Sequence, residues 1–154
     1  MKSLFLFAPI LALLAFSGCV SEQAGATGLA SAGQGSDNGY LSIQLEEIGQ
    51  QAKFLEYTAN GTTVKFFAVK AGDGSIKTAF DACDVCYSKK KGYRQEGSFF
   101  MVCNNCGKRF AIGSLGTENR NPGGCWPSYL PNKVEGSVIL IKKADLENGR
   151  RLFV

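Results

Sequence analysis

Four of the six cysteines form two pairs of identical spacing, Cys83-x-x-Cys86 and Cys103-x-x-Cys106, with sixteen residues between the pairs. A C-x-x-C segment makes a tight turn that points two sulfurs at one spot. Two such turns joined through a hairpin give a tetrahedral four-sulfur cage, the geometry of Zn2+ and iron sites. The separation lies within the range of four-cysteine metal ribbons. Gly107 follows Cys106 and lets backbone N–H groups turn toward sulfur, as in a rubredoxin-type knuckle, whereas Tyr87 follows Cys86. Spacing alone leaves Zn2+, a single iron and a small iron–sulfur cluster open.

A further thiol, Cys125, stands in Gly123-Gly124-Cys125-Trp126-Pro127. It is read as an alternative ligand, part of a second site or a free nucleophile, against a buried structural cysteine beside Trp126. Asp81 and Asp84 flank Cys83 and read as backbone-capping carboxylates, since aspartate hydrogen-bonds nearby backbone. Met101 reads as core. Lys89, Lys90, Lys91, Arg94, Lys108 and Arg109 lie within a few positions of the pairs, where positive charge favours thiolates. The Lys89-Lys90-Lys91 run itself reads as a solvated loop. Tyr87, Tyr93, Phe99, Phe100 and Trp126 serve equally as shields of the site and as ordinary core.

The chain has no histidine, which removes His-based acid–base catalysis, the common protease triads and axial His ligation of haem. No residue set resembles a substrate-converting active site, so an enzyme is not expected. No βαβ context surrounds either pair, which argues against a thioredoxin-type redox motif.

These residues must be positioned by what lies around them, and the first segment is not part of that frame. Lys2 precedes an apolar run, Leu4 to Phe16, of about 13 residues, short for a membrane span and suited to a signal peptide. Phe16-Ser17-Gly18-Cys19 reads as a lipobox. Residues 1–18 are therefore expected to be a lipoprotein signal peptide, with Cys19 taking the lipid that holds the protein at the extracytoplasmic face of the membrane. Loss of Lys2 leaves sixteen basic against thirteen acidic residues, a charge of about +3. With no basic stripe interleaved with aromatics, nucleic acid is not an expected partner.

Residues 19–39 are Gly-, Ser- and Ala-rich and read as a tether with a reach of roughly 25 Å. The domain is expected over residues 40–154. Tyr40 to Leu45 alternates apolar and polar residues like a half-buried strand. Phe54–Thr58 and Thr62–Val69 are strand-like around an Asn60-Gly61 hairpin turn, and Gly72-Asp73-Gly74 marks a second turn. Ser98–Val102 and Val138–Ile141 read as strands, Ala144–Asn148 as a short helical turn, and Leu152–Val154 as a last strand. The fold class is mainly β: a small β-rich domain carrying a zinc-ribbon or rubredoxin-like pair of knuckles.

Four blocks in order carry a resemblance: Phe80-Asp81-Ala82-Cys83-Asp84-Val85-Cys86-Tyr87, Gly92-Tyr93-Arg94-Gln95-Glu96-Gly97, Val102-Cys103-Asn104-Asn105-Cys106-Gly107-Lys108-Arg109-Phe110 and Gly123–Pro127. Together, over a motif core of residues 76–131, they resemble the FtrD-like membrane iron–sulfur protein family. The resemblance implies a metal- or iron–sulfur-binding domain outside the cytoplasmic membrane, often linked to iron permeases; the cofactor expected is an iron–sulfur cluster or mononuclear iron, with Zn2+ as the alternative. Cys83, Cys86, Cys103, Cys106 and Cys125 carry over as metal ligands. Family members embedded in the membrane bring several transmembrane helices, for which a lipid anchor stands in here. The expected function is electron transfer or iron uptake, as an accessory to a membrane permease or redox chain. The alternatives are a structural Zn2+ ribbon that binds a partner, and a thiol–disulfide protein using Cys125.

Overall fold

A computed structural model describes residues 30–31, 38–117 and 124–154. The expected signal peptide, Cys19 and most of the tether lie outside the described residues.

The central layer is a five-stranded sheet in the order β1-β3-β4-β5-β9, and its residues explain the order. In β4 (Thr62–Lys70) the run Phe66-Phe67-Ala68-Val69 is fully buried. Continuous apolar sequence is what a strand covered on both faces requires. β3 (Lys53–Ala59) and β5 (Ile76–Cys83) pair antiparallel with its two edges. The β3–β4 turn places Asn60 at φ 46° and Gly61 at φ 78°, the left-handed pair that a two-residue hairpin needs. Beyond β5 lies β9 (Pro127–Tyr129), antiparallel. Beyond β3 lies β1 (Ala30–Ser31), parallel.

One face of this sheet, with Leu55, Val64, Phe66, Phe80 and Ala82, packs on a three-stranded sheet. That sheet comprises β10 (Lys133–Glu135), β11 (Val138–Lys142) and β2 (Tyr40–Gln44). Leu41, Ile43, Ile139 and Ile141 point inward from it, as their alternation demands. The single α-helix among the described residues, α1 (Lys143–Gly149), closes this core. Gly149 lies so close to Phe80 that a Cβ there would fall inside the ring's van der Waals envelope. The chain ends in a 3-10 turn, Arg150–Leu152, where the sequence predicts a strand. Arg150 continues the helical conformation from α1, and Leu152 reaches the core from that turn.

The other face, with Phe67, Val69, Ala79 and Cys83, packs on β6 (Tyr93–Glu96), β7 (Phe100–Cys103) and β8 (Arg109–Ala111). Tyr93, Met101, Phe110, Ile112 and Leu115 complete this second core, and Met101 is fully buried, as expected of a core methionine. Each large apolar side chain buried in either core contributes about 1.5–3 kcal/mol. Gln95 fastens the small sheet to the chain ahead of β3 by accepting from the Ala52 N–H at 2.5 Å and donating to the Gln50 carbonyl at 2.7 Å. The fold is thus mainly β in three layers, and both C-x-x-C turns start where a strand of the second core ends.

Candidate metal centre

The first turn begins at Cys83, the last residue of β5. The backbone N–H groups of Val85 and Cys86 both point at its Sγ, at 3.4 and 3.3 Å. A 3-10 turn at Tyr87–Lys89 follows, and Lys90 leaves it at φ 53°. Asp84 caps across strands: its N–H donates to the Trp126 carbonyl at 3.2 Å, and its carboxylate accepts from the Ser128 hydroxyl.

The second turn begins at Cys103, the last residue of β7. Gly107, at φ +73°, donates its N–H to the Cys103 carbonyl at 2.9 Å, and the Cys103 N–H reaches Lys108 at 3.0 Å. Asn104 joins the two turns: its N–H donates to the Gly92 carbonyl at 3.0 Å and its amide to the Lys91 carbonyl at 2.9 Å. Its side-chain oxygen accepts from Arg94 at 3.0 Å. From the other side the Asp81 carboxylate accepts the Tyr93 N–H at 2.6 Å. Burial pushes the Asp81 pKa up to about 6. Gly92 sits at φ +61° with the Asp81 carboxylate where a Cβ would be, so only glycine fits between these two clamps. Asp81 caps a backbone N–H as expected, whereas the Asp84 carboxylate meets a side-chain hydroxyl 44 residues away, that of Ser128.

Cys125 arrives by a different route. Cys83 pairs with Pro127 in the β5–β9 register, which sets the residue two positions earlier beside the first turn. The Sγ atoms of Cys83 and Cys125 are 2.8 Å apart, well beyond the roughly 2.05 Å of a disulfide. Those of Cys106 and Cys125 are 3.4 Å apart. The sulfurs of Cys83, Cys86, Cys103 and Cys125 all lie within 4.8 Å of one another. Cys83 and Cys103 are buried, Cys86 and Cys125 half-buried and Cys106 exposed. The five cysteines among the described residues therefore meet in one place.

Proton affinities differ within the group. Burial works against the Cys83 thiolate, yet hydrogen bonds from Cys125 and from the N–H groups of Cys86 and Val85 bring its pKa below the ordinary thiol value. The Lys108 N–H lowers that of Cys106. Burial, then its sulfur neighbours Cys83 and Cys106, pushes that of Cys125 far up. Burial, then the Cys83 charge, does the same to the Tyr93 phenol, whose buried oxygen has no hydrogen-bond partner. The indole N–H of Trp126, next to Cys125, is likewise buried without an acceptor. A shared cation would remove the clash of thiolates, and thiolate sulfur could accept from an unpartnered phenol.

The donor set fits a metal. A tetrahedral ion with metal–sulfur bonds of about 2.3 Å holds its ligands about 3.8 Å apart, and four sulfurs inside 4.8 Å need only small side-chain rotations to meet that. All-sulfur ligation selects Zn2+, iron or another soft ion over Mg2+ or Ca2+. Behind the sulfurs, Phe67, Tyr93, Phe110 and Trp126 stack edge to face with centroids 5.4–6.3 Å apart. Of the aromatics considered as shields, Tyr93 and Trp126 border the site, whereas Phe99 is 73% exposed and Tyr87 and Phe100 face solvent. Among the nearby cations, Arg109 pairs with Glu96 at 2.6 Å, Arg94 holds Asn104 and Lys108 lies over Phe110. Lys90 and Lys91, with Lys65, border a cavity of about 280 Å³ that reaches Cys83 and Cys86.

Asn104 and Ser128 were not marked by spacing. The first carries a local signal, because asparagine inside a turn bonds backbone. The second carries none, since its partner Asp84 is 44 residues away.

The sequence model of a family described as membrane iron-sulfur containing protein, FtrD-like, matches residues 48–153. No curated protein and no solved structure matches the chain.

Proposed function

The chain belongs to the FtrD-like family of membrane iron-sulfur containing proteins, and on that premise we propose that it carries iron at its cysteine centre and serves electron transfer or iron uptake. It works as an accessory to a membrane permease or redox chain, held at the extracytoplasmic face by lipid on Cys19. The observation that carries this reading is the convergence of five thiols in a chain with no histidine. Such a site binds a soft metal and offers nothing for substrate acid–base chemistry. Bound iron with four thiolate ligands supplies one-electron chemistry. The protein's own part is to exclude water with the Tyr93–Phe110–Trp126 stack and to aim N–H groups at sulfur, which tunes the potential. No helix among the described residues is long and apolar enough to cross a membrane, which is compatible with anchoring by lipid.

The test is reversible reduction of protein purified without air. Bleaching of an iron–thiolate absorption by one electron per centre, restored on reoxidation, is the expected result. A colourless protein holding stoichiometric zinc would refute the redox role.

That colourless outcome is the second reading, and one observation favours it. Cys83 and Cys103 belong to the second hydrophobic core, so an ion there also staples β5 to β7.

A further inference from the structure

Five thiols converge where a tetrahedral ion takes four, and the surplus is not random. The sequence knuckle pairs Cys106 with Cys103 in one turn, closed by the Gly107 N–H on the Cys103 carbonyl. Strand pairing delivers Cys125 to the same spot from β9. By mutual proximity the quartet is Cys83, Cys86, Cys103 and Cys125. By turn geometry it is Cys83, Cys86, Cys103 and Cys106. The first three are common to both, and the two rivals have their sulfurs 3.4 Å apart.

We infer that the centre has three fixed ligands and one shared position, held alternately by Cys125 from inside and Cys106 from the solvent side. This rests on the metal-binding reading above and deepens it. The sulfurs are near enough for side-chain rotation, without movement of the sheet, to trade one for the other. Exchange breaks one metal–sulfur bond as it forms another. Cys106 gives up its proton on binding and Cys125 takes one up on leaving, so charge balances. Cys106 is exposed whereas Cys125 is half-buried, so the exchange moves the fourth bond between a closed and a solvent-facing arrangement. That gives an ion a route in and out that a four-cysteine ribbon lacks, and it suits a protein that takes up or passes on its metal.

The test uses Co2+ as the probe, because its thiolate-to-metal absorption grows with the number of bound sulfurs. Wild-type protein, Cys106→Ser, Cys125→Ser and the double variant are each loaded under anaerobic conditions. The expected result is one Co2+ per chain throughout, near wild-type intensity in both single variants, and loss of about a quarter of it in the double variant. Loss of that quarter in one single variant alone would assign the fourth bond permanently to that residue and overturn the inference. So would an undiminished double variant, or two Co2+ per wild-type chain. If wild-type protein binds no Co2+, Zn2+ or iron at all, the metal-binding reading fails with it. Cys106 is exposed, so Cys106→Ser disturbs no packing; should Cys125→Ser not fold, Cys125→Ala takes its place, and loss of the quarter in it alone overturns the inference equally.

Discussion

The sulfurs of Cys83 and Cys125 stand 2.8 Å apart across 42 residues of sequence, and the pairing of β5 with β9 is the cause. Cys83 opposite Pro127, with the Asp84 N–H on the Trp126 carbonyl, leaves Cys125 no other place to go. The two cysteines nevertheless differ in what depends on them. On the proposed exchange, the buried Cys83 has no substitute as a ligand, whereas Cys106 stands in for Cys125. Cys83→Ser is expected to weaken metal binding about a hundredfold or more, beyond the 10–100-fold of losing an outer partner. Cys125→Ser should cost far less. Competition with a coloured chelator measures both, and equal losses would contradict the distinction.

Gly92→Ala tests the clamp between the two turns. The new Cβ meets the Asp81 carboxylate, and φ +61° is strained for alanine. A loss of about 2 kcal/mol or more in urea unfolding is expected. Weaker metal binding should accompany it, because Tyr93 and Asn104 both lean on this loop. Full stability and full affinity together would show that the loop yields freely.

Gly149→Ala probes the other core. Its Cβ would press into the Phe80 ring, and overpacking of this kind costs about 1–3 kcal/mol. Gly149 packs on the core that holds no cysteine ligand. Metal content should therefore stay at the wild-type level while the urea midpoint falls. Loss of metal in the folded variant would mean that the two cores are not independent.

Removal of the metal should destabilise the domain, since Cys83 and Cys103 lie in the second core with Phe67, Tyr93 and Met101. Binding free energy of an ion held by a folded site adds to folding free energy. Apo protein kept reduced is expected to melt about 10 °C or more below the loaded form. Equal melting temperatures would remove any stapling role.

Much of this was legible in the chain. The Asn60-Gly61 turn, the alternation of Leu41 and Ile43, the doubly buried Phe66–Val69 run and the two knuckles are local patterns, and local patterns survive folding. Three of the strands that escaped notice are short and lack such a pattern. β6 (Tyr93–Glu96) is mostly polar, β10 (Lys133–Glu135) is fully exposed, and β9 (Pro127–Tyr129) is three residues beginning with proline. The Leu152–Val154 expectation failed because three apolar residues in a row have no period, and a helical turn buries Leu152 as well as a strand would. Cys125 was visible as an odd thiol. Its place beside Cys83 depends on a register between strands more than forty residues apart, which no window of sequence contains.

Metal and sulfur analysis of the full chain, purified and kept without oxygen, bears most directly on whether the cysteines share one cation. The expected result is one tightly held iron centre per chain, absorbing between about 320 and 500 nm as iron–thiolate bonds do and zinc does not, with no cysteine oxidised. Protein that is empty of metal, with Cys83, Cys86, Cys103, Cys106 or Cys125 joined in disulfides, would contradict it.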